Sequence, residues 1–206
     1  MAGMKGDSHK CKFKKYDYTS CKKTINNAGY TDSEIKQIWE FYVTKSIAEQ
    51  SSQSVKLENY GWDQTQNKKT GYPALEALLA KEAKDCLFCF VRAKTIKDTL
   101  SEMDLANNII CIDHPRAVLR QNFSYSHDEN ETVSLSSKEG RIVCLMRHIR
   151  NSFAHGNTYF LPNGNILLED FETKNVTAKI LIPQRALLSW ITIIDKDNIL
   201  SYRNEE

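Results

Sequence analysis

The sequence predicts a mainly α fold, a helical bundle with a small antiparallel hairpin or meander between its last two helices. Three observations carry this expectation. Apolar residues recur at helical spacing over several long stretches. Two of those stretches open on Ser/Thr-x-x-Glu, Thr31-x-x-Glu34 and Ser136-x-x-Glu139, the pattern of a capping box. Asn163-Gly164 sits between two short β-prone runs, which is the signal of a hairpin. With 206 residues, 41% hydrophobic and 26% charged, the chain is expected to bury a core without disulfide staples.

The elements follow in chain order. Residues 1–29 form a basic segment with little apolar pattern. Lys10, Lys12, Lys14, Lys15, Lys22 and Lys23 lie there, with Tyr16 and Tyr18 among them. Such a stretch can track a phosphate backbone and stack on bases, or be a solvated arm. The first helix opens at Thr31 and carries Ile35, Ile38, Trp39, Tyr42, Val43 and Ile47 on one face. Residues 49–71 turn polar and read as a loop or insertion. Pro73 suits the first turn of a second helix. Its broken stripe, Leu75, Leu78, Leu79, Cys86, Phe90, Ala93, Ile96, Leu100 and Met103, predicts one long helix or two with a kink.

Residues 106–136 are mixed, with a short helix expected after Pro115 and an exposed acidic loop at Asp128–Glu131. A third long helix is expected from Ser136, with Ile142, Leu145, Met146, Ile149 and Phe153 on one face and Gly156 as its stop. Thr158–Leu161 and Ile166–Asp170 flank the Asn-Gly turn, Val176–Ile182 can add a third strand, and Pro183 begins the last helix.

No apolar run approaches the ~18 residues that a spanning helix needs. The start, Met1-Ala2-Gly3-Met4-Lys5-Gly6-Asp7, is polar and unlike a signal peptide. A cytoplasmic protein with no membrane partner is expected. Net charge is +2, too small to imply nucleic acid by its sum alone. Six cysteines in such a chain read as reduced thiols. Cys86-x-x-Cys89 lacks a second pair to complete a tetrahedral metal shell, and Cys111-Ile112-Asp113-His114 lacks one too. Core packing in a helical stretch is the expected role of the first pair. No metal and no cofactor are expected.

Chemistry concentrates at the end of the third helix. Arg147, His148, Arg150, Asn151, Ser152 and His155 fall within ten residues, ahead of Gly156. His148 and His155 share a helix face. Arg150 and His155 are splayed by roughly 140° on an ideal helix, but unwinding at Gly156 lets their heads converge on one cleft. RNA carries its own nucleophile, the 2′-hydroxyl. Its cleavage needs a base, an acid and positive charge on the transition state. His supplies the proton transfers near neutrality, and Arg presents a fixed fork of donors to phosphate. The competing reading is structural. Arg150 could reach Glu169 or Asp170 of the meander, and His155 could cap the helix end. His9, His114 and His127 read as loop residues.

Arg150-Asn151-Ser152-Phe153-Ala154-His155 resembles the R-x(4–6)-H signature of HEPN domains (higher eukaryotes and prokaryotes nucleotide-binding), with Asn151 matching the polar residue after the Arg. The following Gly-Asn, hairpin and last helix look like those of stand-alone bacterial members. The close match covers about residues 137–197, and upstream only the helical layout agrees. The resemblance implies a HEPN-like helical domain over 30–206 behind the 1–29 segment. It implies a metal-independent endoribonuclease, a toxin or anti-phage effector, acting as a homodimer that pools Arg and His from both copies in one cleft. Arg150 and His155 are then catalytic with Asn151 supporting, and Arg147 and His148 are candidates for substrate binding. The expected partners are an RNA substrate, a second copy, and an antitoxin or regulatory protein. A non-catalytic module that binds nucleotide, RNA or a partner protein is the alternative, and a third is an accessory protein tethered to nucleic acid by its basic arm.

Overall fold

The structure, a computed structural model, describes residues 19–21, 25, 28–48, 55–62, 72–84, 87–91, 109–113, 117–118, 137–138 and 140–199. Helix α1 (Asp32–Trp39) opens as its sequence requires. The Thr31 backbone N–H donates to the Glu34 carboxylate at 2.8 Å, and the Glu34 N–H donates to Thr31 Oγ1 at 3.2 Å. Two donors that a helix start leaves orphaned are thus satisfied reciprocally. Arg185 also bonds Glu34. The hydrogen bond from the Thr31 backbone, with Arg185, holds the Glu34 carboxyl below its usual range. Thr31→Ala is expected to lower stability by about 1 kcal/mol, and Thr31→Ser to restore most of it, in urea unfolding.

The helix then widens into a π turn (Glu40–Thr44), with the Lys45 N–H donating to Glu40 O at 2.8 Å. This turn buries Phe41 and Tyr42, and the Tyr42 hydroxyl donates to Leu187 O at 2.8 Å. The polar stretch after it is not all loop. A 3-10 turn (Leu57–Tyr60) puts Leu57 and Tyr60 into the core. Ile25, from within the basic segment, joins the same core. The lysines at 10, 12, 14, 15, 22 and 23 lie outside the described residues, as does the acidic loop at 128–131.

Helix α2 (Pro73–Glu82) starts with proline in its first turn, as expected. It ends at Glu82, and Cys86, Ala93, Ile96, Leu100 and Met103 of the expected stripe lie outside the described residues. The backbone leaves the helix at Ala83, and Lys84 takes a positive φ of 56°. Next come strand β1 (Leu87–Val91) and, farther on, β2 (Ile109–Asp113). Both are short, almost unbroken apolar runs rich in β-branched or aromatic residues. Such runs satisfy helical and extended periods alike, so spacing cannot distinguish them. The helical setting expected for Cys89 is therefore corrected to a strand. Of the short helix expected after Pro115, only Ala117 and Val118 lie among the described residues, and they are not helical. Strand β3 (Ala117–Val118) pairs there with β4 (Ser137–Lys138).

Helix α3 (Arg141–Ala154) begins later than Ser136-x-x-Glu139 suggests, with Gly140 as an N-cap that offers no side-chain bond. Its end follows the sequence signal. Gly156 sits at φ +63°, the Asn157 N–H donates to Ser152 O at 2.8 Å, and the Gly156 N–H donates to Phe153 O at 3.1 Å. This pair of bonds is a Schellman motif, which needs a residue able to take left-handed φ.

Strands β5 (Thr158–Phe160), β6 (Asn165–Glu172) and β7 (Asn175–Pro183) then form the expected antiparallel ribbon. Gly164 turns it at φ 79°. Pro183 closes β7 instead of opening a helix, and the last helix, α4, spans Ala186–Ile194.

The ribbon is not a small addition to a bundle. It forms most of a five-stranded sheet in the order β1-β2-β7-β6-β5. Among the described residues of this sheet only the β1–β2 pairing is parallel. The mainly α, HEPN-like bundle predicted from the sequence is therefore overturned: the described residues build a mixed sheet layered against helices. Ile166, Leu168, Ala178, Ile180 and Ile182 face one core with Ile149, Phe153, Leu187 and Trp190. Trp190 Nε1–H donates to Leu79 O at 2.8 Å, which fastens α4 to α2 at its centre. Leu167 and Leu181, on the opposite sheet face, are buried as well.

Candidate functional site

Helix α3 lies on β6 and β7 and is buried on most of its surface. At ~100° per residue, His148, Asn151, Ser152 and His155 fall on one side of it. That side meets β6 where the strand is irregular. Between Asp170 and Phe171 the ladder shifts, so that Asp170 faces Ala178 but Phe171 faces Val176. Thr177 is the extra residue of this bulge. Bulges bend strands and re-aim side chains. Here the Asp170 carboxylate accepts the neighbouring Phe171 N–H through Oδ1 at 2.9 Å.

The other carboxylate oxygen receives two side chains from α3. His148 Nδ1 lies 2.8 Å from Asp170 Oδ2, and Asn151 Nδ2 donates to the same oxygen at 3.0 Å. Asn151 Oδ1 in turn accepts from Arg150 Nη1 at 3.1 Å. The amide orientation is dictated from both ends: its NH2 must meet the carboxylate and its oxygen the guanidinium. Burial pushes the Asp170 carboxyl up. The hydrogen bonds from His148 and Asn151, the attraction of His148, and the Phe171 N–H outweigh that and leave it below the usual carboxylate range. Asp170 is thus ionised near neutrality, so the His148 nitrogen facing it carries the proton.

The candidates taken from the sequence separate into three groups. Arg150, Asn151 and His148 are joined through Asp170. Arg147 is buried elsewhere on α3, with Nη2 donating to Cys144 Sγ at 3.5 Å. His155 is the C-cap residue of α3 and is exposed. Among the described residues no hydrogen bond or ion pair links it to Arg150. His148 is only 1% exposed, whereas Arg150 and Asn151 are half-buried. The end of the helix therefore presents one guanidinium held from behind and one imidazole free in solvent.

Asp170 is the member that helix periodicity could not supply. The sequence offered both Glu169 and Asp170 as partners for this helix end. Alternation along β6 separates them. Glu169 points to the other sheet face, where its carboxylate pairs with Lys179 at 2.7 Å. The Tyr159 hydroxyl is pushed up to about 12 by burial first, and then by the Glu169 charge and a hydrogen bond to it. No cluster of three or more metal-ligating side chains occurs among the described residues. Comparison with protein-family models, with curated proteins and with solved structures finds no match to this chain.

Proposed function

We propose that the C-terminal end of α3 binds an RNA phosphodiester and cleaves it without a metal, in a homodimer that places a second copy of the same residues across the scissile bond. The sheet removes the bundle that the family resemblance implied, so the reading stands on side chains alone. The observation that carries it is the held guanidinium. Asn151, fixed by Asp170, accepts a hydrogen bond from the half-buried Arg150, and His155 is exposed at the end of the same helix. A pre-oriented fork of donors suits phosphate oxygens, and it stabilises charge that develops on them. His155 supplies one proton transfer, and its counterpart in the second copy supplies the other.

The reaction needs the 2′-hydroxyl as nucleophile. Labelled RNA incubated with the protein and excess EDTA is expected to be cleaved at the rate seen with Mg²⁺, and a deoxy substrate of the same sequence to stay intact. Loss of cleavage in EDTA, restored by Mg²⁺, would overturn the metal-free mechanism.

One observation favours a second reading. The histidine with an orienting carboxylate is His148, and it is buried rather than displayed. A module that binds RNA or nucleotide without cleaving it needs only Arg150 and its support. Retarded but uncut RNA, with affinity falling steeply in salt, identifies that case.

A further inference from the structure

Trp39 is an aromatic that the core does not use. Helix α1 buries Ile38 and the π turn buries Phe41 and Tyr42, but Trp39 is 44% exposed. It stands in an open groove of about 650 Å³ along α1 and the π turn, lined also by Asp32, Ile35, Lys36, Glu40, Thr44 and Lys45. The first four of these share a helix face with Trp39, and the wider π turn brings Thr44 and Lys45 round to it. The charges of this row alternate in sign: Asp32, Lys36, Glu40, Lys45. Reversed end for end, the row meets itself with opposite signs throughout. Asp32 then faces Lys45, Lys36 faces Glu40, and Trp39 lies near the centre. A parallel copy would set like charges together. Glu40 and Lys45 also pair within the chain, but an ammonium and a carboxylate each have room for a further partner.

We propose that this face of α1 is the interface of a twofold homodimer, in which a second copy lies antiparallel across the groove and the two Trp39 side chains pack at its centre. The inference rests on the homodimer of the reading above and adds where its two copies meet. A twofold contact must be complementary to itself, as the alternating row is. Apolar contact at the central tryptophan supplies the affinity. Exposed ion pairs add little to it, but they fix the register and reject the parallel arrangement. The face also adjoins the helix that carries the candidate site. Tyr42 of the π turn packs on Phe153 of α3, with ring centroids 6.2 Å apart.

Sedimentation velocity and light scattering on the full chain are expected to show a dimer that dissociates on dilution. Trp39→Glu should weaken it by at least roughly thirtyfold, the scale of a lost hot spot. Its circular dichroism should match the parent, because the residue is exposed. Charge variants test the antiparallel register with Trp39 in place, and they decide the matter even if Trp39→Glu misfolds. Lys36→Glu alone and Glu40→Lys alone should each weaken self-association, since each sets like charges opposite one another twice. Mixed in equal amounts, the two should form a heterodimer tighter than either homodimer. A parent chain that stays monomeric at every concentration overturns the proposal. So does a dimer as tight in Trp39→Glu as in the parent, or a mixture of charge variants no tighter than each alone. These readouts involve no RNA. A dimer that depends on Trp39 and leaves RNA uncut keeps the interface and counts against the ribonuclease, whereas a dimer indifferent to Trp39 that cleaves RNA does the reverse.

Discussion

Replacing His155 by alanine is expected to reduce RNA cleavage by roughly two to four orders of magnitude, the scale of losing a positioned proton-transfer group. The fold should not notice. His155 is exposed, and its backbone, not its ring, makes the helix-end bonds. Thermal unfolding of His155→Ala should therefore superimpose on that of the parent. Arg150→Ala should lose roughly two to three orders of magnitude, as expected when a transition-state donor is removed. Its affinity for uncleaved RNA should fall and the salt dependence of binding become shallower. The two variants differ in a dimer. Mixed Arg150→Ala and His155→Ala chains can assemble a cleft with one intact Arg and one intact His, so partial recovery of cleavage on mixing marks a shared site. Parent-level cleavage by His155→Ala would end the catalytic reading.

The largest stability effect belongs to Asp170. Its two oxygens accept three hydrogen bonds, from His148, Asn151 and the Phe171 backbone. Asparagine at this position has one acceptor and one donor group. Whichever way its amide is turned, a donor faces a donor. Asp170→Asn should therefore cost roughly 3–5 kcal/mol, the range seen when one partner of a buried pair is removed. The pH dependence has a definite sign. Because the folded carboxyl titrates below its ordinary 3.8, its contribution is fully present above that value. It is lost as pH falls through the folded pKa beneath it. Urea unfolding of the parent should lose stability in that acid window, and Asp170→Asn should show a flatter profile there. Equal urea midpoints for the two proteins at neutral pH would show the network to be energetically idle.

Legibility from sequence followed the range of each signal. The capping box at Thr31, the proline at the start of α2, the glycine ending α3 and the Asn-Gly turn all act within a few residues, and each appears where it was read. Ser136-x-x-Glu139 has the same form, yet α3 starts at Arg141, because β4 claims Ser137 and Lys138 for a ladder with β3. The sheet was hidden for a related reason. Leu87–Val91 and Ile109–Asp113 have no polar residue until Asp113 to set a period, and their partners lie far along the chain. The candidate site divides in the same way. Arg150, Asn151 and His155 stand out in one helical segment. The carboxylate that orders the first two comes from a strand reached only after the hairpin turn, and it is distinguished from Glu169 by the pleat alone.

The strand order also governs the schedule on which the chain can fold. The β6–β7 hairpin joins neighbours and can close early, whereas β2 finds its second neighbour only in β7. During synthesis β1 and β2 emerge with their greasy surfaces uncovered and must wait for that hairpin to leave the ribosome. Long-range closures of this kind are slow and invite sticking between nascent chains. Yields of soluble protein should therefore depend on growth temperature and holdase chaperones more than the count of helices would suggest.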